Sequence, residues 1–243
     1  MTHVYKSNFG LGDVLLHCHW LRAASRSQPE DEFVFYCNGG EQAHEVVNDM
    51  PRIRIEQITP SSPGIPVPLT ASHMPRGTDL TDFVACKIQQ YKIISEQSGF
   101  ESPINTREEW LFDYPALLNL ENSQNLDFFV VNARPLSHQT AVTADEVSAL
   151  AAKLTGYGHK VFCTNTSSDP RYSMTEMATA SLRAKRILMI ATGPSWLTFN
   201  IWNEKNIKER LIICNETVNF GRPWPHFHSI GQVEAHLRQN GLL

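Results

Sequence analysis

Charge of one sign is scarce in this sequence: 21 Lys and Arg stand against 25 Asp and Glu in 243 residues, a net of −4. Such a balance gives no general attraction to a polyanion, so neither nucleic acid nor an anionic membrane surface is an expected partner. No apolar run approaches the roughly 18 residues of a spanning helix, and the N-terminus has no signal-peptide core. The expectation is a cytoplasmic protein with no transmembrane segment. Paired cysteines are missing as well. Cys18, Cys37, Cys86, Cys163 and Cys214 are scattered, odd in number and mostly set in apolar patterns, which excludes a zinc knuckle and a thioredoxin-type motif and leaves reduced core thiols. Metal ligands are no better provided. His17 and His19 lie two apart on an expected helix, where their side chains diverge, and His226 and His228 read as loop packing among Pro223, Pro225 and aromatics. No metal site is expected.

What is present is a repeated order of strands and helices, with 42% hydrophobic residues to build cores. Strand patterns at Val4 to Lys6, Glu32 to Cys37 and Ile53 to Ile58 alternate with helical ones from Asp13 and over Glu41 to Asp49. That alternation predicts a parallel sheet. Pro60 to Gly77, with five prolines and two glycines, reads as a loop. Helices are expected over Leu80 to Gln97 and, less regularly, Thr106 to Asn119. A polar break at Glu121 to Asn125 separates two domains, 1–122 and 123–243. The second repeats the scheme: strand Leu126 to Asn132, helix Thr143 to Thr155, strand Lys160 to Thr164, helix Ser173 to Ala184 with Ser173 and Glu176 at capping-box spacing, strand Arg186 to Ile190, a helix from Thr192 to about Asn203, strand Arg210 to Cys214 and helix Ile230 to Asn240. The fold class predicted is α/β, two Rossmann-like doubly wound lobes facing a cleft.

Ligands of such sheets bind at the carboxyl ends of strands, and three segments follow strands there. Asn8 to Arg22 combines a glycine turn, Gly10 and Gly12, with an acidic helix start at Asp13. The third glycine of a dinucleotide fingerprint is missing, since Leu16 stands in its place. Asp13 is a helix cap, a carboxylate held at the ligand edge, or both. Asn132 to Gln139 carries Arg134, suited to a bidentate phosphate contact, with Ser137 and His138; ordinary turn chemistry is the other reading. Thr192, Gly193, Pro194 and Ser195 form a helix start that either stabilises an anion or is simply capped. Trp196, Phe199 and Trp202 fall at helical spacing and read as core, with Trp196 near enough to the turn to line a pocket.

Two of these turns carry a resemblance. Gly10-Leu-Gly-Asp-Val-Leu-Leu16 with Leu21-Arg22, and Ile190-Ala-Thr-Gly-Pro-Ser-Trp-Leu197, resemble the corresponding turns of GT-B glycosyltransferases, specifically the heptosyltransferase-like family 9 group. The second matches the family's Asp-Thr-Gly-x-x-His-Leu turn except that Ala191 replaces the Asp and Trp196 the His. The resemblance implies a compact GT-B-like fold with a catalytic aspartate at Asp13, acceptor side in the first lobe and nucleotide-sugar side in the second. It implies a nucleotide-sugar donor as substrate, a carbohydrate or glycoconjugate acceptor, metal-independent transfer and no cofactor. Loss of the two polar donor-turn residues motivates an alternative, a non-catalytic nucleotide-sugar-binding or scaffold protein. A different α/β enzyme acting on a phosphorylated small molecule is a third reading.

Overall fold

The computed structural model describes residues 1–67, 71–77, 82–132, 140–164, 173–215 and 224–243. Two compact units divide the chain, Met1–Leu117 and Leu118–Leu243, so the division falls just ahead of the polar break.

The first unit contains β1 (Thr2–Ser7), α1 (Leu11–Ser27), β2 (Glu32–Cys37), α2 (Gly40–Val47), β3 (Ile53–Gln57), β4 (Ile65–Pro66) and α3 (Phe83–Gln97). Its strands pair in parallel in the order β3-β2-β1-β4. β4 lies inside the stretch expected to be loop. Two residues show no alternation to read, and what seats them is Gly64: its φ is +111° and a Cβ there would stand 2.7 Å from the Val4 carbonyl oxygen, so only glycine allows this approach to β1.

In α1 burial extends beyond its apolar residues Val14, Leu15, Cys18 and Leu21. Every residue from Val14 to Arg22 is buried, because the helix is covered on both sides. His17 packs among Tyr5, Trp20 and Phe35, while His19 stacks on Phe112 at 4.4 Å. Burial keeps both imidazoles neutral, with pKa values lowered to about 3. The covering segment is the one expected to be a helix over Thr106 to Asn119. It is irregular apart from a 3-10 turn at Pro115–Leu117, and it is fixed by packing of Trp110, Phe112 and Tyr114 and by Arg22. That guanidinium is fully buried and donates to the Asp113 and Val46 carbonyls and to both carboxylate oxygens of Asp49. A tertiary scaffold therefore replaces helix propensity here.

The second unit contains β5 (Leu126–Val131), α4 (Ala144–Gly156), β6 (Val161–Cys163), α5 (Met174–Ser181), β7 (Ala184–Ile190), β8 (Glu209–Ile213), β9 (His226–Phe227) and α6 (Ile230–Gln239). The sheet is parallel with order β6-β5-β7-β8-β9. Its core on one face is largely aliphatic, with Phe128, Val130, Leu150, Leu154, Leu188, Ile190, Leu211, Ile213, Val233 and Leu237 buried together. Capping boxes start α4 (Thr143 with Glu146) and α5 (Ser173 with Glu176), each adding about 1 kcal/mol to its helix. α5 ends at Ser181 because Ala184 already begins β7. His226 belongs to a short edge strand rather than a loop, and His228 Nδ1 meets the Cys214 carbonyl oxygen at 2.8 Å.

Candidate active site

At the carboxyl end of β1 the chain turns through Asn8 to Gly10, and α1 begins at Leu11. Gly10 is the N-cap, in extended conformation and with no side-chain cap; its carbonyl oxygen accepts from the Asp13 and Val14 amides. Gly12 therefore lies within the first helical turn. Asp13 is not the cap, which corrects one of the two readings of that residue. It is the third helical residue, an acidic group in the first turn of α1.

That carboxylate meets Lys87. Lys87 Nζ on α3 donates to Asp13 Oδ1 at 3.1 Å, with side-chain exposures of 9% for the lysine and 32% for the aspartate. The ammonium is thus largely enclosed while the carboxylate keeps an accessible face. Lys87 also sits over the Phe83 ring, 5.3 Å from its centre. One helical turn beyond Asp13 is His17, and one beyond Lys87 is Tyr91, whose hydroxyl donates to the Leu16 carbonyl at 2.7 Å. These residues line a crevice of about 10 Å³ together with Gln90, Val67 and Ile94. Among the described residues, His17 Nε2 is buried there with no hydrogen-bond partner. Burial raises the Tyr91 phenol well above its ordinary value, and the Asp13 charge adds to that. Lys87, Gln90 and Tyr91 were not among the candidates from sequence. The signal was legible: Lys87 stands in an apolar helical stripe, Val84, Ile88, Tyr91 and Ile94, where a cation is out of place unless paired.

In the second unit, Asn132 follows β5 and is spent on scaffolding. Its amide N–H donates to Thr164 Oγ1, and its Nδ2 donates to the Ala144 carbonyl and to Ser148 Oγ, both at 2.9 Å. Arg134, Ser137 and His138 lie outside the described residues. The turn after β7 is described, and it differs from the expected helix. Gly193–Thr198 is a 3-10 segment of six residues, with Thr192 as an uncapped N-cap and Pro194 in its second position. A full α-helical dipole is therefore not available at this turn. Ser195 points inward and donates to the Ile190 carbonyl at 2.6 Å, with 2% exposure, and Thr192 Oγ1 lies 3.4 Å from Ser195 Oγ. Trp196 is buried against Phe199, ring centres 5.5 Å apart, so an indole occupies the space near the turn as packing. Ala191 is likewise buried, its amide donating to Ile213.

No protein-family model matches the sequence, and no curated protein is detectably similar to it by sequence. Solved structures do match. Two structures of the Escherichia coli heptosyltransferase WaaC, one with ADP and one with ADP-2-deoxy-2-fluoro heptose, superpose with TM-scores of 0.62 and 0.63 at 12% identity. The matches cover 99% of this chain and 98% and 100% of theirs. The chain has a heptosyltransferase-like GT-B fold. A glycosyltransferase of family 9 from Veillonella parvula DSM 2008 matches over 100% of this chain and 90% of its own, with a TM-score of 0.57 at 11% identity. At such identities the likeness concerns architecture. Among the described residues no group of three His, Cys, Asp or Glu side chains is arranged to hold a metal ion, and no helix is long and apolar enough to cross a membrane.

Proposed function

We propose that the chain is a metal-independent glycosyltransferase that moves a sugar from a nucleotide-sugar donor to an acceptor hydroxyl, with Asp13 as general base. The observation that carries this reading is the Asp13–Lys87 pair: a carboxylate at a strand-to-helix turn, held from behind by an enclosed ammonium and open on its other face. In the reaction, Asp13 accepts the proton of the acceptor hydroxyl as that oxygen bonds to the anomeric carbon, and the bond from that carbon to the diphosphate oxygen breaks. The leaving nucleoside diphosphate carries away the electron pair. We assign its stabilisation to the second unit, at the turn Thr192–Ser195 and the segment with Arg134, Ser137 and His138. Because the Thr192 and Ser195 hydroxyls are turned inward, the backbone at Gly193 is the group this turn offers. The fold likeness to proteins solved with ADP and an ADP-heptose analogue supports an adenosine diphosphate sugar as the first donor to try.

The test is release of nucleoside diphosphate from a panel of nucleotide sugars, with calorimetric titration of the same compounds. Binding and turnover support the reading; a folded chain that binds none of them overturns it. A second reading is favoured by Ala191 and Trp196, two buried residues where the resembling turn carries polar ones. It is a nucleotide-sugar-binding protein without chemistry, and it predicts binding without release and full biological activity in Asp13→Asn.

A further inference from the structure

Where the second unit begins, the turn leading into β5, helix α5 and the edge strand β6 line an open cavity of about 270 Å³. Its lining is mixed, more apolar than polar. Asn119, Asn122, Gln124, Thr175, Glu176 and Thr179 supply polar groups, and Leu126 and Phe162 apolar surface. We propose that this cavity is a binding site for one neutral polyhydroxylated ring, a sugar residue, separate from the candidate active site.

Three observations carry the proposal. The lining contains no lysine or arginine and includes a carboxylate, so a phosphate or nucleotide is repelled while hydroxyl groups are welcome. The hydrogen-bonding capacity is unspent: among the described residues, neither the carboxamides of Asn122 and Gln124 nor the Thr175 hydroxyl makes a hydrogen bond, and the capping box uses only Oε2 of Glu176. Carboxamides both donate and accept, as does each sugar hydroxyl, so the two match without fixing a charge. The frame is also built. Asn119 Oδ1 accepts from the Asn122 amide, the Asn119 amide donates to Thr179 Oγ1 at 3.1 Å, and Phe162 stacks on Phe129 with ring centres 5.6 Å apart. An aromatic ring lining the same pocket as side-chain amides suits the C–H face of a pyranose. None of Asn132 and Thr192 to Ser195 contributes to it, so the site stands whether or not the chain proves to be a transferase.

A free sugar and the terminal residue of a glycan present the same chemistry. The experiment is an NMR titration of the full isotope-labelled chain with glucose, galactose, mannose, N-acetylglucosamine and a heptose, with maltotriose as the glycan arm and inorganic phosphate as control. The expected result is saturable shifts at Asn122, Gln124, Thr175 and Glu176 in the millimolar range with at least one sugar. Gln124→Ala should weaken binding about tenfold, about 1.4 kcal/mol, and Thr175→Trp should abolish it while the rest of the spectrum keeps its folded pattern. Tighter binding of maltotriose than of glucose identifies a glycan end as the occupant. Absence of saturable shifts with every sugar, shifts produced by phosphate, or shifts that survive Thr175→Trp would each overturn the proposal.

Discussion

Each unit carries a glycine-bearing turn after a parallel strand, yet the two turns dispose of their polar side chains in opposite ways. After β1 the chain enters a 17-residue α-helix, and Asp13 emerges from its first turn to face Lys87 with about a third of its surface open. After β7 it enters a six-residue 3-10 segment, and Ser195 turns back onto the strand it has just left. The surrounding cores do not explain the difference. In the first unit buried polar groups, Arg22, His17, His19 and Lys87, are woven among aromatic rings; in the second an aliphatic cluster covers part of the sheet, but beside the β7 turn Arg210, Asn200 and Asn203 are likewise buried next to Phe199. The lesson is that a turn motif specifies a backbone path, while the helix type that follows decides whether its side chains are available for chemistry.

The contrast is broken most severely at Asp13. Asp13→Asn should lower sugar transfer on the order of 10³-fold while leaving nucleotide affinity in the second unit unchanged, as read by release assay and calorimetry. Next in size is Arg22→Met. Burial alone would raise the Asp49 carboxyl, but the Arg22 hydrogen bonds and charge outweigh it and lower its pKa; removing them should cost the first unit about 3 kcal/mol in urea denaturation. The third test is acid. His17 and His19 have folded pKa values of about 3, below the ordinary 6.5, so the unfolded chain binds protons first as pH falls. The stability they hold is fully present above pH 6.5 and drains away between there and about pH 3. Each contributes a slope of about 1.4 kcal/mol per pH unit, and probes in the first unit should report unfolding at higher pH than probes in the second. The smallest effect belongs to Ser195→Ala. Losing the bond to the Ile190 carbonyl should cost about 1 kcal/mol of stability and leave nucleotide affinity intact.

Much of the architecture was legible because parallel strands and their helices write clear periods: β2, β5, β7 and β8 all fall where apolar runs placed them, and the Ser173–Glu176 spacing marks a real capping box. What escaped has physical reasons. β4 and β9 are two residues long, too short to show a period, and β4 depends on Gly64 fitting against the Val4 carbonyl. The Trp110 to Tyr114 segment carries helix-compatible residues, but Arg22 and the α1 surface fix it as an irregular cover. Pro194 and the inward Ser195 hydroxyl accompany a 3-10 turn where an α-helix start was expected. At the strand-to-helix turn, the acid at Asp13 and the misplaced cation at Lys87 could each be read from sequence; their pairing could not, because Lys87 comes from a helix 74 positions away and only the fold joins them.

The most direct test of the account is calorimetric titration of ADP and an ADP-heptose into the full chain and its Asp13→Asn variant, with nucleoside diphosphate release measured on the same samples once an acceptor glycan is added. The account predicts that both proteins bind with equal affinity and that only the unaltered chain turns over. No heat of binding from a folded chain, or equal turnover by the Asp13→Asn variant, would contradict it.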